Sequence, residues 1–177
     1  MVRGLGVVAL TAVVATTAAS AAGVPLKAFA RPHHTYDNLP ATAKSLVPVV
    51  ANSRRVATAI DTKRNRYLVY VTLLKNKQVC TVLTQGSAYS ERCAPQQILF
   101  VKGRQSFSVF RGLVGGVVAN DVTKVVLVGR GKQKAVPLTT DHGFIFGCPA
   151  PSTCASWVKT VVGYNSAGKM ISRETVG

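Results

Sequence analysis

Short apolar segments rich in β-branched and aromatic residues recur along this chain, separated by polar or glycine-containing turns. The clearest is 67–74, which a polar turn at 75–78 separates from a second segment at 79–84. Residues of these types favour the pleated, half-buried surface of a strand. About nine such segments follow residue 66 at spacings near ten residues, with no sustained helical period. We therefore predict an all-β domain, an antiparallel β-sandwich (Ig-like or an open barrel) of about eight to nine strands.

Three local patterns refine this expectation. Residues 106–111 alternate between apolar and polar side chains, which predicts a strand with one buried and one solvent-facing side. Residues 97–101 are apolar and predict another strand, whereas 85–92 are polar and predict a loop closed by Cys93. The glycine-rich segment 112–118 is interpreted as a crossover between sheets, and this connection favours the sandwich over the barrel.

The first twenty-two residues have the pattern of a secretory signal peptide. Arg3 supplies a basic start, 7–15 is apolar apart from Thr11, and 16–22 consists of small uncharged residues. A spanning helix needs roughly 20 predominantly apolar residues, and this run is shorter, although a retained membrane anchor is the alternative. We expect a protein that is secreted, extracellular or associated with the cell envelope.

The remaining chain of about 155 residues is enough for one domain. Residues 23–60 contain several prolines and little periodicity, which predicts a flexible leader with room for one short helix. Whether 41–60 is helix or strand stays open, because Pro48 interrupts the helical reading and the valines that follow suit a strand. Residues 61–177 are the predicted disulfide-stapled β-domain.

The four cysteines form an even set in what we expect to be an oxidising compartment. Three connectivities are possible. We favour Cys80 with Cys93 and Cys148 with Cys154, because the members of each pair are close in sequence and the pairs are far apart. A zinc site would need a tighter spacing such as C-x-x-C. No metal or cofactor is expected.

The net charge of +16 constrains the partners. Only six acidic residues accompany 22 lysines and arginines, which disfavours chemistry that needs paired carboxylates, such as glycoside hydrolysis. Export makes cytosolic nucleic acid an unexpected partner, and it points instead to an anionic envelope polymer or a membrane surface. The alternative is that the charge simply keeps the protein soluble.

The densest basic run precedes the first clear strand and supplies the candidate anion-binding residues: Arg54, Arg55, Lys63, Arg64 and Arg66. Six aromatic residues are spread over the predicted strands. They serve either as core or, beside cations on a solvent-facing sheet, as a polymer-binding surface: Tyr67, Tyr70, Phe107, Phe110, Trp157 and Tyr164.

Catalytic motifs are scarce. The pair Asp141-His142 is the one place inside the predicted domain where a histidine adjoins a carboxylate. A hydrolase would add a hydroxyl such as Ser106 or Ser87, with Asp121 as another carboxylate. The alternative is a polar turn at 139–143 between two strands.

Several segments resemble a group of small exported β-domain proteins of high-GC Gram-positive bacteria that has no established activity. The segments are the Cys80 hairpin with 93–95, the run 111–114 leading into 122–125, 136–138 followed by 143–145, and the ending 163–169. The resemblance implies export and an all-β domain, and it carries no functional residue across.

Export, positive charge and the absence of a catalytic motif together predict a non-enzymatic basic β-domain for binding or interaction at the cell envelope. The alternative is a secreted hydrolase that uses Asp141 and His142.

Overall fold

The computed structural model describes residues 26–44, 50–99, 103–147 and 157–176. These residues form eleven strands in three antiparallel sheets and no closed barrel, which confirms the all-β prediction and raises the expected strand number. The predicted signal peptide, 1–22, lies outside the described residues, as do Cys148 and Cys154.

The first sheet has four strands in sequential order: β1 (Val50–Ile60), β2 (Arg66–Leu74), β3 (Gln78–Gln85) and β4 (Ala88–Pro95). Strand β1 pairs with β2 along most of its length, from Val50 opposite Leu74 to Ile60 opposite Arg66. The sheet therefore begins within the range 23–60 that we assigned to the leader. The open question about 41–60 is answered by a short helix followed by a strand.

The second and third sheets use the rest of the described chain. The second has the order β5-β6-β9, formed by β5 (Gln105–Phe110), β6 (Leu113–Val118) and β9 (Gly143–Gly147). The third has the order β11-β10-β7-β8, formed by β7 (Lys124–Gly129), β8 (Lys132–Val136), β10 (Thr160–Tyr164) and β11 (Met170–Thr175).

The helical turns are short: α1 (Lys27–Ala30), a 3₁₀ turn (Thr35–Asp37), α2 (Ala41–Lys44) and α3 (Gln96–Leu99). The N-terminal turns pack on the first sheet. Leu39 and Ala43 are buried in one cluster with Tyr70, Leu74 and Val82 of β2 and β3. The apolar outer face of this sheet is thereby covered by the segment that the sequence presented as a leader.

Strand β6 is buried along its whole length, and its two faces contact different sheets. Leu113 and Val117 belong to a cluster with Val69 of the first sheet. Val114 and Val118 belong to a second cluster, with residues such as Leu127 of the third sheet. Side chains of a strand alternate between its faces, so β6 contributes to both cores.

The predicted glycine-rich crossover at 112–118 is therefore wrong, because most of it is this central strand. The glycines of β6 let neighbouring residues approach its backbone closely. A Cβ added to Gly115 would lie 2.7 Å from Val69 Cγ2 of the first sheet. A Cβ added to Gly116 would collide with the backbone oxygen of Ser106 and with Phe107. Glycine inside a strand often marks such a contact.

Strand β5 corrects the expectation of a solvent-facing side. Ser106 and Ser108 are both buried. The Ser106 hydroxyl accepts a hydrogen bond from Thr81 Oγ1 at 2.8 Å, and the Ser108 and Ser90 hydroxyls are 2.7 Å apart. The small polar side chains thus face the first sheet rather than water.

Two further local predictions are wrong. Polar 88–92, assigned to a loop, belongs to β4, because an exposed strand at the edge of a sheet tolerates polar side chains. The segment assigned to a strand at 97–101 begins instead as α3, directly after Pro95. Pro95 is the last residue of β4 that pairs with β3, and proline has no N–H with which to extend the ladder of hydrogen bonds.

The predicted pairing of Cys80 with Cys93 is confirmed as a disulfide. The two residues face each other on the neighbouring strands β3 and β4. The bond therefore ties the edge strand β4 to the buried strand β3, across 13 residues of chain.

We predict that Gly116→Ala lowers the free energy of unfolding by about 1–3 kcal/mol, the usual cost of overpacking a close contact. The control Gly131→Asn lies in an open turn at φ 71°, where asparagine is tolerated, and should change stability by less than about 0.5 kcal/mol. Urea titration of both variants measures the difference. Equal stabilities would contradict close packing at β6.

Candidate anion-binding pocket

The five predicted anion-binding residues divide into two groups. Arg54 and Arg55 lie on β1 and contact the N-terminal segment. Lys63, Arg64 and Arg66 lie in or directly after the β1–β2 loop, and all three are exposed.

Arg54 is only 5% exposed. Its guanidinium donates to the backbone oxygens of Ser53 and Arg31 and to the side chain of Asn52, and it lies 5.8 Å from the centre of the Phe29 ring. Burial lowers the pKa of Arg54 from its usual value. Arg54 is thus directed into the fold and does not belong with the exposed group.

Arg31 joins the N-terminal segment to the β-domain. Its guanidinium donates two hydrogen bonds of 2.7 Å to Asp37 and one of 2.7 Å to Asp141, which is far away in sequence. Asp37 is fully buried and also accepts from the backbone N–H groups of His34 and Arg55. Burial alone would raise the pKa of Asp37, but these bonds outweigh it and hold the pKa well below its usual range.

Arg55 has an aromatic partner. Its guanidinium carbon lies 4.4 Å from the centre of the Tyr36 ring, and the same ring stacks on His34 with 5.0 Å between centroids. Arg55 therefore helps to fix the N-terminal segment as well as carrying charge.

The β1–β2 loop is organised by Asp61. One carboxylate oxygen accepts from the backbone N–H groups of Lys63 and Asn65, and the other from the Asn65 amide and the Tyr67 hydroxyl. These hydrogen bonds, above all the one from the Asn65 side chain, lower the pKa of Asp61 from its usual value. Because both oxygens are occupied within the loop, Asp61 sets its shape, while Lys63 and Arg64 point their charge to solvent.

This loop borders a pocket of about 450 Å³. Strand ends and turns of the first two sheets contribute to it: the β1–β2 loop, the end of β3 at Gln85, the β5–β6 turn at Arg111, and the end of β9 at Gly147. Apolar groups from Ala59, Ile60 and Leu113 line it together with the ring of Tyr67.

The sequence reasoning missed Arg111. Its guanidinium donates to Gln85 Oε1 at 3.0 Å and lies 5.1 Å from the centre of the Phe110 ring. Arg111 and Gly112 both have positive φ, which forms the tight turn between β5 and β6. The Arg-Gly pair between two apolar segments could have indicated a hairpin turn that exposes an arginine. That Arg111 and Lys63 line the same pocket follows only from the fold.

The six aromatic residues that we assigned either to the core or to a surface beside cations divide between the two. Tyr67, Tyr70 and Phe107 are buried. Phe110 and Tyr164 are half-buried beside cations, with Lys124 Nζ 5.6 Å from the centre of the Tyr164 ring. Trp157 packs edge-on against Phe146.

Asp141 and His142 occupy the polar turn that we gave as the alternative to a catalytic site. The His142 N–H donates to the Thr139 oxygen, and His142 adopts φ 56°. Its ring Nδ1 lies 3.3 Å from the Ala119 oxygen, and burial lowers its pKa. Among the described residues no hydroxyl is hydrogen-bonded to this ring, Asp141 binds Arg31, and Ser106 bonds Thr81. The hydrolase hypothesis stays a prediction that these contacts do not support.

Other features bear on cofactors and membranes. Within the described ranges, no group of three or more His, Cys, Asp or Glu side chains is placed to hold a metal ion. No helix in the same part of the chain is long and apolar enough to cross a bilayer. A second depression of about 350 Å³ lies beside β4 and β5, where Arg92 faces the Phe107 ring at 5.3 Å.

We predict that Asp37→Asn lowers the free energy of unfolding by about 3 kcal/mol at pH 7, because it removes one partner of a buried ion pair. A carboxylate with a lowered pKa stabilises the fold above its unfolded pKa and loses this contribution as pH falls. The difference from wild type should therefore shrink below about pH 4. Asp141→Asn, which removes only one bond to Arg31, should cost less. Urea titrations between about pH 7 and pH 2 test this, and a difference independent of pH would contradict it.

Known proteins offer no parallel from which to transfer a function. The chain matches no protein family, no curated protein and no solved structure. The resemblance to small exported β-domain proteins stays a prediction, and a function has to be argued from the described residues themselves.

Proposed function

We propose that this protein is a non-enzymatic binding domain for anionic groups of the cell envelope, either an anionic polymer or a lipid surface. The exposed β1–β2 loop, with Lys63, Arg64 and Arg66, is its principal contact. We further propose that the protein is secreted, and the Cys80–Cys93 disulfide is compatible with an extracellular location.

The observation that carries this proposal is that most acidic residues are bonded within the fold, whereas most basic residues are exposed. Among the described residues there are two ion pairs, and both belong to Arg31, with Asp37 and Asp141. Asp61 is bonded to neutral donors, and Asp121 Oδ1 accepts from the Gly103 N–H. Four of the six acidic residues, all of them aspartates, are thus used in contacts within the fold.

The cations, in contrast, are mostly exposed and without a carboxylate partner in the described part of the chain. Examples away from the pocket are Arg130, Lys132 and Lys134 on the β7–β8 hairpin. Such a surface has a positive field that attracts anionic partners. The loop differs from the rest in having three cations within four positions.

We infer that the scaffold beneath this surface is a layered β-sandwich, the finer form of the predicted architecture. The support is strand β6, whose two faces contribute to the cores shared with the first and third sheets. Such packing is rigid, and it would hold the β1–β2 and β5–β6 turns at one end of the molecule.

We predict that the full chain binds vesicles containing anionic lipid and envelope wall fragments at low salt. It should be released at about 0.5 M NaCl, because screening shortens the range of exposed charges. Zwitterionic vesicles measure any contribution of the apolar N-terminal residues. Comparing wall fragments with anionic vesicles distinguishes polymer from lipid as the partner.

The loop is tested by Lys63→Gln, Arg64→Gln and Arg66→Gln combined. Each basic residue near an anionic surface contributes about 1 kcal/mol, so vesicle binding should weaken about a hundredfold. The matched control, Arg130→Gln, Lys132→Gln and Lys134→Gln, removes the same charge from the β7–β8 hairpin and should weaken it much less. Binding that resists salt, or equal losses in both triple variants, would contradict the proposed contact.

A further inference from the structure

The pocket beside the β1–β2 loop combines an apolar lining with a cationic border. Its volume of about 450 Å³ lies within the range of roughly 300–1,000 Å³ that is typical of small-molecule sites. The surface proposed above needs only exposed charge, so the apolar lining calls for a more specific explanation.

The lining is apolar at the strand ends. Ala59 and Ile60 end β1, Leu113 begins β6, and the Tyr67 ring lies opposite Ala59 across the β1–β2 pair. Ile60 lines the pocket and is also 62% exposed. An isolated exposed apolar residue is ordinary, but one that continues an apolar cavity wall extends the area that a ligand chain can contact.

The border carries two cations from different loops, Lys63 and Arg111. Arg111 is held by its bond to Gln85 and by the Phe110 ring, so its orientation is fixed before a ligand arrives. The Asp61 carboxylate also lines the pocket, but its Oδ2 accepts from the Asn65 amide and the Tyr67 hydroxyl, and its Oδ1 accepts from the backbone N–H groups of Lys63 and Asn65. Lys63 and Arg111 therefore stay available to an incoming anion.

We propose that this pocket binds an amphiphilic anion, a single alkyl chain with a phosphate or carboxylate head group. The chain lies against Ala59, Ile60 and Leu113, and the head group lies between Lys63 and Arg111. Charge complementarity selects the head group, and burial of the alkyl chain contributes the hydrophobic part of the affinity. This inference rests on the proposed function, because it names the ligand class of the same end of the molecule.

Calorimetric titration of the full chain with monomeric dodecyl phosphate tests the pocket, with inorganic phosphate and dodecanol as the two partial ligands. Dodecyl phosphate should bind at least about tenfold more tightly than either, since only it uses both the lining and the border. Equal affinity for inorganic phosphate would overturn the apolar role, and equal affinity for dodecanol would overturn the cationic role.

Two variants locate the binding. Arg111→Gln should weaken dodecyl phosphate binding about tenfold, the usual effect of losing one charged hydrogen bond. Ala59→Phe should weaken it further by filling the cavity, with a urea titration to verify folding. The matched control is Arg130→Gln, another exposed arginine with positive φ that precedes a glycine in a hairpin turn. Losses that are equal for Arg111→Gln and Arg130→Gln would overturn the inference.

The outcomes separate this inference from the proposed function. Salt-sensitive vesicle binding without dodecyl phosphate binding would overturn the pocket ligand and leave the surface proposal intact. Dodecyl phosphate binding that depends on Arg111, without vesicle or wall binding, would support the pocket and overturn the proposed surface.

Discussion

The close packing of strand β6 against neighbours on both faces is the constraint on which the rest of this structure depends. Gly115 lets Val69 of the first sheet approach, and Gly116 leaves room for the paired strand β5 of its own sheet, because a Cβ on either glycine would meet these atoms. With β6 buried on both sides, the two apolar cores share one strand. The β5–β6 turn at its end and the β1–β2 loop border one pocket, which Arg111 and Lys63 both line.

The scarcity of carboxylates has a structural consequence as well as an electrostatic one. Arg31 uses Asp37 and Asp141 to attach the N-terminal segment to the β-domain, and Asp61 is used to shape a loop. With 22 lysines and arginines against six acidic residues, most cations lack an acidic partner wherever the acids lie, so the net charge already predicts a positive surface. The internal contacts of Asp37, Asp61 and Asp141 make the surface more positive still.

Local pattern predicted those parts of the fold in which side-chain alternation and turn chemistry agree. The hairpin of β2 and β3 was predicted on this basis and is present. The Cys80–Cys93 pair was predicted from the closeness of the two cysteines in sequence, and it is also present. Prediction from local pattern was wrong where tertiary packing overrides composition. Polar β4 is an edge strand that the disulfide ties to β3. Glycine-containing β6 is a strand paired with β5 and β9 on its two edges, and a local pattern does not show this pairing.

The candidate site could be predicted only in part for the same reason. Lys63, Arg64 and Arg66 lie within four consecutive positions, so a charge run identified them. Arg54 belongs to the same run, yet it is buried and contacts Phe29 and the backbone oxygen of Arg31, both distant in sequence, and no local pattern shows these contacts. The pocket is built from four separate segments, and the ion pair of Arg31 with Asp141 joins residues 110 positions apart. Such contacts are properties of the fold.

The central claim, that the end of the molecule with the β1–β2 and β5–β6 turns is the anion-binding end, is tested most directly by hydrogen–deuterium exchange of the full chain with and without anionic vesicles. The account predicts slower exchange in 60–66 and 110–113 on vesicle binding, reversed by salt, with the β7–β8 hairpin at 129–132 unchanged. Protection confined to that hairpin, or bound protein with no protection at the predicted end, would contradict it.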